Sequence, residues 1–217
     1  MNPRLRAMAR TGVRVVNHPV AKRRITRTLA DAARPIKLEI GGTAKRPGWV
    51  VTNVSALARN YLDATVTWPL EDDSVEFVYA DNVIEHIPLA AGRAMLAEAK
   101  RCLRPGGVIR LVTPDIRHHI ELYLSGADPL ASPAGKHYAS MGLTVEHPLD
   151  LVRIPIGEFG HHSGYVYDPE TLGAELERAG FSQVTRCELG ESDHAALAGL
   201  DQRSGSERAQ MAIEATA

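Results

Sequence analysis

The chain has 217 residues, 44% hydrophobic and 24% charged, with a net charge of -1 at pH 7, which is the composition of a soluble globular protein long enough to bury one core. No apolar run approaches the roughly 20 residues that span a bilayer. The small net charge hides an asymmetry: Arg4, Arg6, Arg10, Arg14, Lys22, Arg23, Arg24, Arg27 and Arg34 face one acid, Asp31, so residues 1–35 carry +8 and the rest -9.

Such a basic, acid-poor arm suits an anionic membrane surface, an acidic substrate or nucleic acid, and its plainest form is a solvated helical extension. It holds no apolar signal-peptide core, so the expected place of the protein is the cytoplasm, with peripheral contact to an anionic membrane through the arm. The two cysteines, Cys102 and Cys187, match no metal or redox spacing and read as packing residues.

Pro35 marks the boundary between the helix-compatible arm, 1–35, and a domain over 36–217, because the residue before a proline is pushed out of the helical region. IKLEI then alternates as a strand, GGTAKRPG turns, and WVVTNVS supplies a second strand. DATVT is expected as a short third. VEFVYA is nearly continuous in apolar character, the mark of a parallel strand covered on both faces.

Met95, Leu96, Ala99, Cys102 and Leu103 recur at helical spacing, and Pro105, Gly106 and Gly107 end that helix and turn the chain into VIRLVT. A strand, crossover helix, strand unit of right hand results. Residues 115–165 are rich in Pro, Gly and His and show one clear helical stretch, DIRHHIELYL; a long irregular segment of this kind is expected to be a lid. Asp168 and Pro169 start the best-marked helix, with Gly180 at its end, and QVTRCEL and AQMAIEAT close the chain as strands.

In an open α/β sheet ligands sit outside the carboxyl ends of the strands. The polar residues that follow successive strands are therefore the candidates: Glu39 with Gly41 and Gly42, then Asn53, Asp63, Asp81 with Asn82, Glu85 and His86, and Asp115. An imidazole with an ordinary pKa of about 6.5 suits proton uptake near neutrality, which makes His86 the leading base. Asp115, Tyr123, His161 and His162 are the next candidates, Asp115 for base duty and the other three for binding an acceptor. Six of the nine histidines fall between His118 and His162, yet the adjacent pairs diverge on a helix or strand and repeat no known ligand set, so no metal is expected.

The blocks LEIGG, PGWVVTNV, DATVTWPLEDDSVEFVYADNVIEHI and LRPGG, in this order and spacing, resemble the class I S-adenosylmethionine-dependent methyltransferases, in particular the compact type 11 group, over residues 36–217. The resemblance implies a Rossmann-like seven-stranded sheet with an antiparallel C-terminal hairpin and S-adenosylmethionine as cofactor. Glu39, Gly41 and Gly42 would cradle its methionine end, Asn53 would take the place of the acid that binds the ribose, Asp63 and Ala64 would meet the adenine, and Asp81 and Asn82 would line the floor near the methyl. Thr43 replaces the usual third glycine. The acceptor expected by analogy is a small molecule, glycan or glycolipid. Thr43 and Asn53 motivate an alternative, a catalytically inactive Rossmann-like binding module. Nucleic acid is disfavoured as a partner, since the domain is acidic and has only three Phe.

Overall fold

The computed structural model describes residues 19–55, 57–201 and 209–217. Most of the basic arm, with Arg4, Arg6, Arg10 and Arg14, lies outside them. Residues 19–30 form a helix, α1. Ala21, Ile25 and Leu29 recur every fourth residue and are buried on one face, while Lys22, Arg23 and Arg27 stay exposed. Ile25 and Leu29 join the main hydrophobic cluster, so this end of the arm packs as part of the domain.

The strands are β1 (Ile36–Ile40), β2 (Val50–Thr52), β3 (Val75–Asp81), β4 (Leu103–Pro114), β5 (Ser182–Cys187) and β6 (Gln210–Thr216). They form one sheet in the order β2-β1-β3-β4-β6-β5, with β2, β1, β3 and β4 parallel and the last two antiparallel. This is the expected Rossmann-like sheet with its antiparallel C-terminal pair, but with six strands among the described residues instead of seven. The missing one is DATVT. Asp63 Oδ1 accepts both the Thr65 amide, 2.9 Å, and its hydroxyl, 2.6 Å, a local side-chain turn that competes with strand pairing. All that remains beyond β2 is one parallel bridge, Asn53 to Tyr61.

The β1–β2 connection, residues 41–49, contains no helix. Lys22 of α1 lies over the Tyr61 ring, 5.6 Å from its centroid, and Thr28 donates to Asn60 Oδ1 at 2.9 Å. The arm thus covers an edge that a crossover helix covers in most such sheets. Helix α2 (Leu89–Cys102) joins β3 to β4 and buries Met95, Leu96, Ala99 and Cys102. On its other side Glu98 Oε2 accepts the Trp68 amide at 2.8 Å, and Arg101 donates to Leu70 O at 2.9 Å and Asp72 at 2.7 Å. The WPLEDD block is fastened to α2 by these bonds.

Residues 115–165 are more helical than their composition suggests. They form α3 (Ile116–Leu124), α4 (Pro133–Ser140) and α5 (Asp150–Gly157), with short 3-10 turns at Pro129–Ala131 and His161–Ser163. Two of these elements begin with a capped proline: Asp128 accepts the Leu130 amide ahead of Pro129, and Ser132 accepts the Gly135 amide ahead of Pro133. Helix α6 (Pro169–Arg178), capped by Asp168, follows.

His119 of α3 is fully buried, with Nε2 3.2 Å from the Tyr138 hydroxyl. Burial, reinforced by neighbouring His118, pushes its pKa down to about 4. The unfolded chain therefore binds the proton that the folded chain refuses between about pH 6.5 and 4, and stability falls as pH falls through that window. Across it the loss amounts to roughly 3 kcal/mol at most. Thermal melting of His119→Gln should show a smaller drop between pH 6.5 and 4.5 than the unsubstituted chain, and an identical drop would remove His119 from the account.

Candidate active site

Two cavities lie at the carboxyl ends of the parallel strands. The larger, about 700 Å³, runs along β2 and is lined by residues 42–47 of the glycine turn, Asn53, Ser55 and Thr28 of α1, among others. The smaller, about 230 Å³, lies over the β3 end and is enclosed by Asn82, Glu85 and His86, Pro114 after β4, His137, Tyr138 and Met141 from α4, Pro155, Phe159 and His161 around α5, and Gln210 of β6. Gly42 lines the first and Asn82 the second. Between them Gly41 packs on Val83, where an added Cβ would overlap the Val83 Cγ2 atom.

Gly41, at φ +81°, turns the chain out of β1. Gly42 fits between Val51 and Glu39, since its Cβ would stand 2.7 Å from Glu39 Oε1 and would overlap Val51. Glu39 is buried, and Arg46 Nε donates to its Oε2 at 2.6 Å; that bond raises the Arg46 pKa. The Arg46 guanidinium also lies over the Tyr79 ring, 5.7 Å from the centroid.

Asn53 reaches back to the turn, donating to Gly41 O at 2.7 Å and Gly42 O at 3.3 Å, while its Oδ1 accepts the Ser55 amide at 2.8 Å. An amide is required for this staple. A carboxylate would face two carbonyl oxygens, so Asn53→Asp, which introduces the acid that the resemblance would place here, should destabilise the fold by about 1–3 kcal/mol and weaken ligand binding at the turn. Urea denaturation checks the first and calorimetry the second; a gain in either would show that the staple is dispensable.

Of the remaining candidates, Asp63, Ala64, Glu39, Gly41 and Asp81 line neither of these two cavities. Ala64 is buried and its carbonyl accepts the Trp68 indole N–H at 3.2 Å. Asp81 Oδ2 accepts the Tyr79 hydroxyl at 3.0 Å. Asp115 serves the fold: its carboxylate caps α3 through the Arg117 and His118 amides and pairs with Arg186 at 2.9 Å. Tyr123 is 42% exposed on α3 and His162 is exposed, and neither faces the smaller cavity.

His86 and His161 do meet there. Asn82, in the left-handed region at φ +51°, bends the chain out of β3 into a 3-10 turn, Ile84–His86. Phe159 and Gly160, both at positive φ, swing His161 in from the far side. The two imidazoles are 4.6 Å apart between centroids, edge to face. His161 Nδ1 lies 2.6 Å from Pro155 O, to which it donates, and its Nε2 lies 4.0 Å from Glu85 Oε1. Glu85 is fully buried, and its Oε2 accepts the Thr113 hydroxyl at 3.1 Å. Partial burial, then the nearby His161, lowers the His86 pKa. Sequence reasoning missed His137, Tyr138, Phe159 and Gln210 as wall residues, for no motif marks them.

Residues 46–111 match the sequence model of the methyltransferase domain family. Over that part of the chain the match agrees with the resemblance to the methyltransferases of the type 11 group. It begins after Gly41 and Gly42. No curated protein sequence matches the chain. Among solved structures, the chain is similar to an S-adenosylmethionine-dependent methyltransferase from Thermotoga maritima at 17% identity, with 91% of each chain covered and a TM-score of 0.49. Another such enzyme, from Archaeoglobus fulgidus, has 16% identity, 92% and 94% coverage and a TM-score of 0.48. Phosphoethanolamine N-methyltransferase 2 of Haemonchus contortus, in complex with S-adenosylmethionine, has 16% identity over 88% of this chain and 51% of that one, with a TM-score of 0.47. Among the described residues no helix is long and apolar enough to cross a membrane.

Proposed function

We propose that the protein transfers a methyl group from S-adenosylmethionine to a hydroxyl of a small-molecule or glycan-type acceptor held in the cavity above Glu85 and His86. The observation that carries this reading is the pair of cavities on either side of the Gly41–Val83 contact. The larger, about 700 Å³, lies within the range of small-ligand sites, roughly 300–1,000 Å³. The smaller, about 230 Å³, admits one reacting group with little water.

The residues fit the cofactor. Gly42, Thr43 and Asn53 line a cavity of the right size at the first two strand ends, and the glycine turn is rigidly stapled from below. They would hold it, with Asn82 at the entrance to the neighbouring cavity. When bound, the cofactor supplies an electrophilic methyl group that an oxygen nucleophile can take directly. The chain's part is to align the acceptor, exclude water and take up a proton. His86 is placed for that last task, since its ring lines the cavity and its lowered pKa keeps it neutral at pH 7.

Calorimetry with S-adenosylhomocysteine is the first test, and absence of binding at millimolar ligand would sink the reading. With binding established, His86→Ala should leave affinity unchanged and slow transfer to hydroxyl acceptors by roughly 10²-fold or more. Unchanged turnover would exclude His86 as the proton acceptor.

A further inference from the structure

We infer that one solvent-facing stripe of α1 and the loop after β2 form a docking face for an anionic lipid bilayer, with arginines meeting the headgroups while Val54 and Leu57 enter the boundary beneath them. Val20, Arg23, Arg24 and Arg27 stand at i, i+3, i+4 and i+7, so they share one stripe of α1, apart from the buried stripe of Ala21, Ile25 and Leu29. Arg24 Nη1 donates to the Arg59 carbonyl at 3.3 Å, which joins that stripe to the loop. Thr28, one turn further on, lines the larger cavity together with Lys45, Leu57 and Arg59. Helix and loop therefore meet in one surface beside that cavity.

The charge of this surface is of one sign. Asp31, exposed just past the helix, is the one acid of residues 1–38, and no acid stands between Glu39 and Asp63. Arg46 is answered by Glu39 at 2.6 Å. Arg23, Arg27, Lys45 and Arg59 are exposed, and among the described residues none of them is paired with a carboxylate. Arg4, Arg6, Arg10 and Arg14 precede the helix in sequence and add to the charge tethered at its start. Each basic residue close to an acidic phospholipid surface strengthens binding roughly fivefold, and the effect fades beyond a Debye length.

Charge alone would suit nucleic acid equally well, and the apolar side chains decide between the two. Leu57 is 78% exposed and Val54 is 54% exposed. A built turn displays them: Asn53 Oδ1 accepts the Ser55 amide at 2.8 Å, Ser55 O accepts the Ala58 amide at 2.9 Å, and Ser55 Oγ accepts the Leu57 amide at 3.3 Å. A single exposed leucine is ordinary. Two apolar side chains on a fixed turn beside a row of cations match what lies in a headgroup boundary, where apolar groups go in and Lys or Arg stay with the phosphates. Single-stranded nucleic acid instead needs aromatic faces for its bases. The aromatics nearby are engaged, Trp49 edge-on with Tyr79 and Tyr61 beneath Lys22.

This face does not depend on what either cavity binds, so the full chain is tested without cofactor. Co-sedimentation with vesicles of phosphatidylcholine alone, and of phosphatidylcholine mixed with phosphatidylglycerol, should show at least tenfold stronger partition onto the anionic ones, weakening as salt is added. Arg23→Gln combined with Arg27→Gln should lower that partition roughly tenfold or more, and Leu57→Ser roughly fivefold. Arg178→Gln is the control, on α6, which packs on β5 at the other margin of the sheet, and it should leave partition unchanged. Melting curves confirm that each variant is folded. Equal partition onto the two kinds of vesicle, or partition that survives either the arginine pair or Leu57→Ser, overturns the docking face. So does a single-stranded oligonucleotide that binds more tightly than the anionic vesicles at the same salt.

Discussion

Replacing Arg110 with methionine should lower the free energy of unfolding by about 3–5 kcal/mol, the cost of leaving buried charge without its partner. Arg110 sits mid-strand in β4 with no exposed surface. It donates to Asp201 at 2.8 and 3.1 Å, to Glu214 of β6 at 2.6 Å, and to the carbonyls of Glu191 and Glu188 at 2.9 and 3.2 Å. One guanidinium thus joins the parallel half of the sheet, the antiparallel strand and the loop after β5. The hydrogen bonds and opposing charges offset the cost of its burial, so its pKa is raised although desolvation works against it. Removing the cation strands two carboxylates. Adding Asp201→Asn and Glu214→Gln to Arg110→Met should recover a substantial part of the loss, and urea midpoints for the single and triple variants provide the check. Equal midpoints for Arg110→Met and the unsubstituted chain would show that this cluster carries no net stability.

Gly42→Ala should weaken S-adenosylhomocysteine binding at least tenfold and destabilise the fold by about 1–3 kcal/mol. The added methyl meets Val51 on one side and Glu39 Oε1, at 2.7 Å, on the other. Neither can yield easily. Val51 belongs to β2, and Glu39 is held by Arg46 while the Thr52 hydroxyl donates to its carbonyl at 2.9 Å. Moving Glu39 therefore disturbs Arg46, which lines the larger cavity. Gly157→Ala serves as the control, because nothing lies within 4 Å of the added Cβ. Calorimetry should find its affinity unchanged; a comparable loss in both variants would mean that the turn is not the sensitive point.

The parts of the fold that were legible in the sequence are those governed by neighbours along the chain. Asp168 and Pro169 announce α6, and the apolar run VEFVYA announces the central strand β3. DATVT misleads for the same local reason, because the alternation is there but Asp63 captures Thr65 before a partner strand can. The short helices of 115–165 escaped notice although Ser132-Pro133 and Asp128-Pro129 carry their starting signals, since eight residues give too few turns for an apolar stripe to show.

The site divides in the same way. Gly41, Gly42 and Asn82 sit at strand ends, and strand ends can be read. The meeting of Glu85 and His86 with His161 depends on the Gly164–Tyr165 backbone lying on the Glu85 carbonyl, where Tyr165 N donates at 3.2 Å and no Cβ fits at Gly164. That contact spans 80 residues of chain and has no local signature. Asn53 is a subtler case. Its identity looked like a weakened ribose ligand, and only the 2.7 Å bond to Gly41 O reveals what an amide does there that an acid cannot.

The two margins of the sheet carry a consequence for how this protein behaves in a crowded solution. An open sheet offers unpaired backbone groups at its outer strands, and a long flat margin invites another chain to add itself there. Neither margin here is long or flat. On one side β2 spans only Val50–Thr52 and is continued by the single Asn53–Tyr61 bridge, with α1 packed close by. On the other, β5 slips register between Ser182 and Thr185, with Gln183 at φ +49°, the kind of bulge that twists a strand away from a newcomer. Strand-to-strand polymerisation is thereby opposed at both ends.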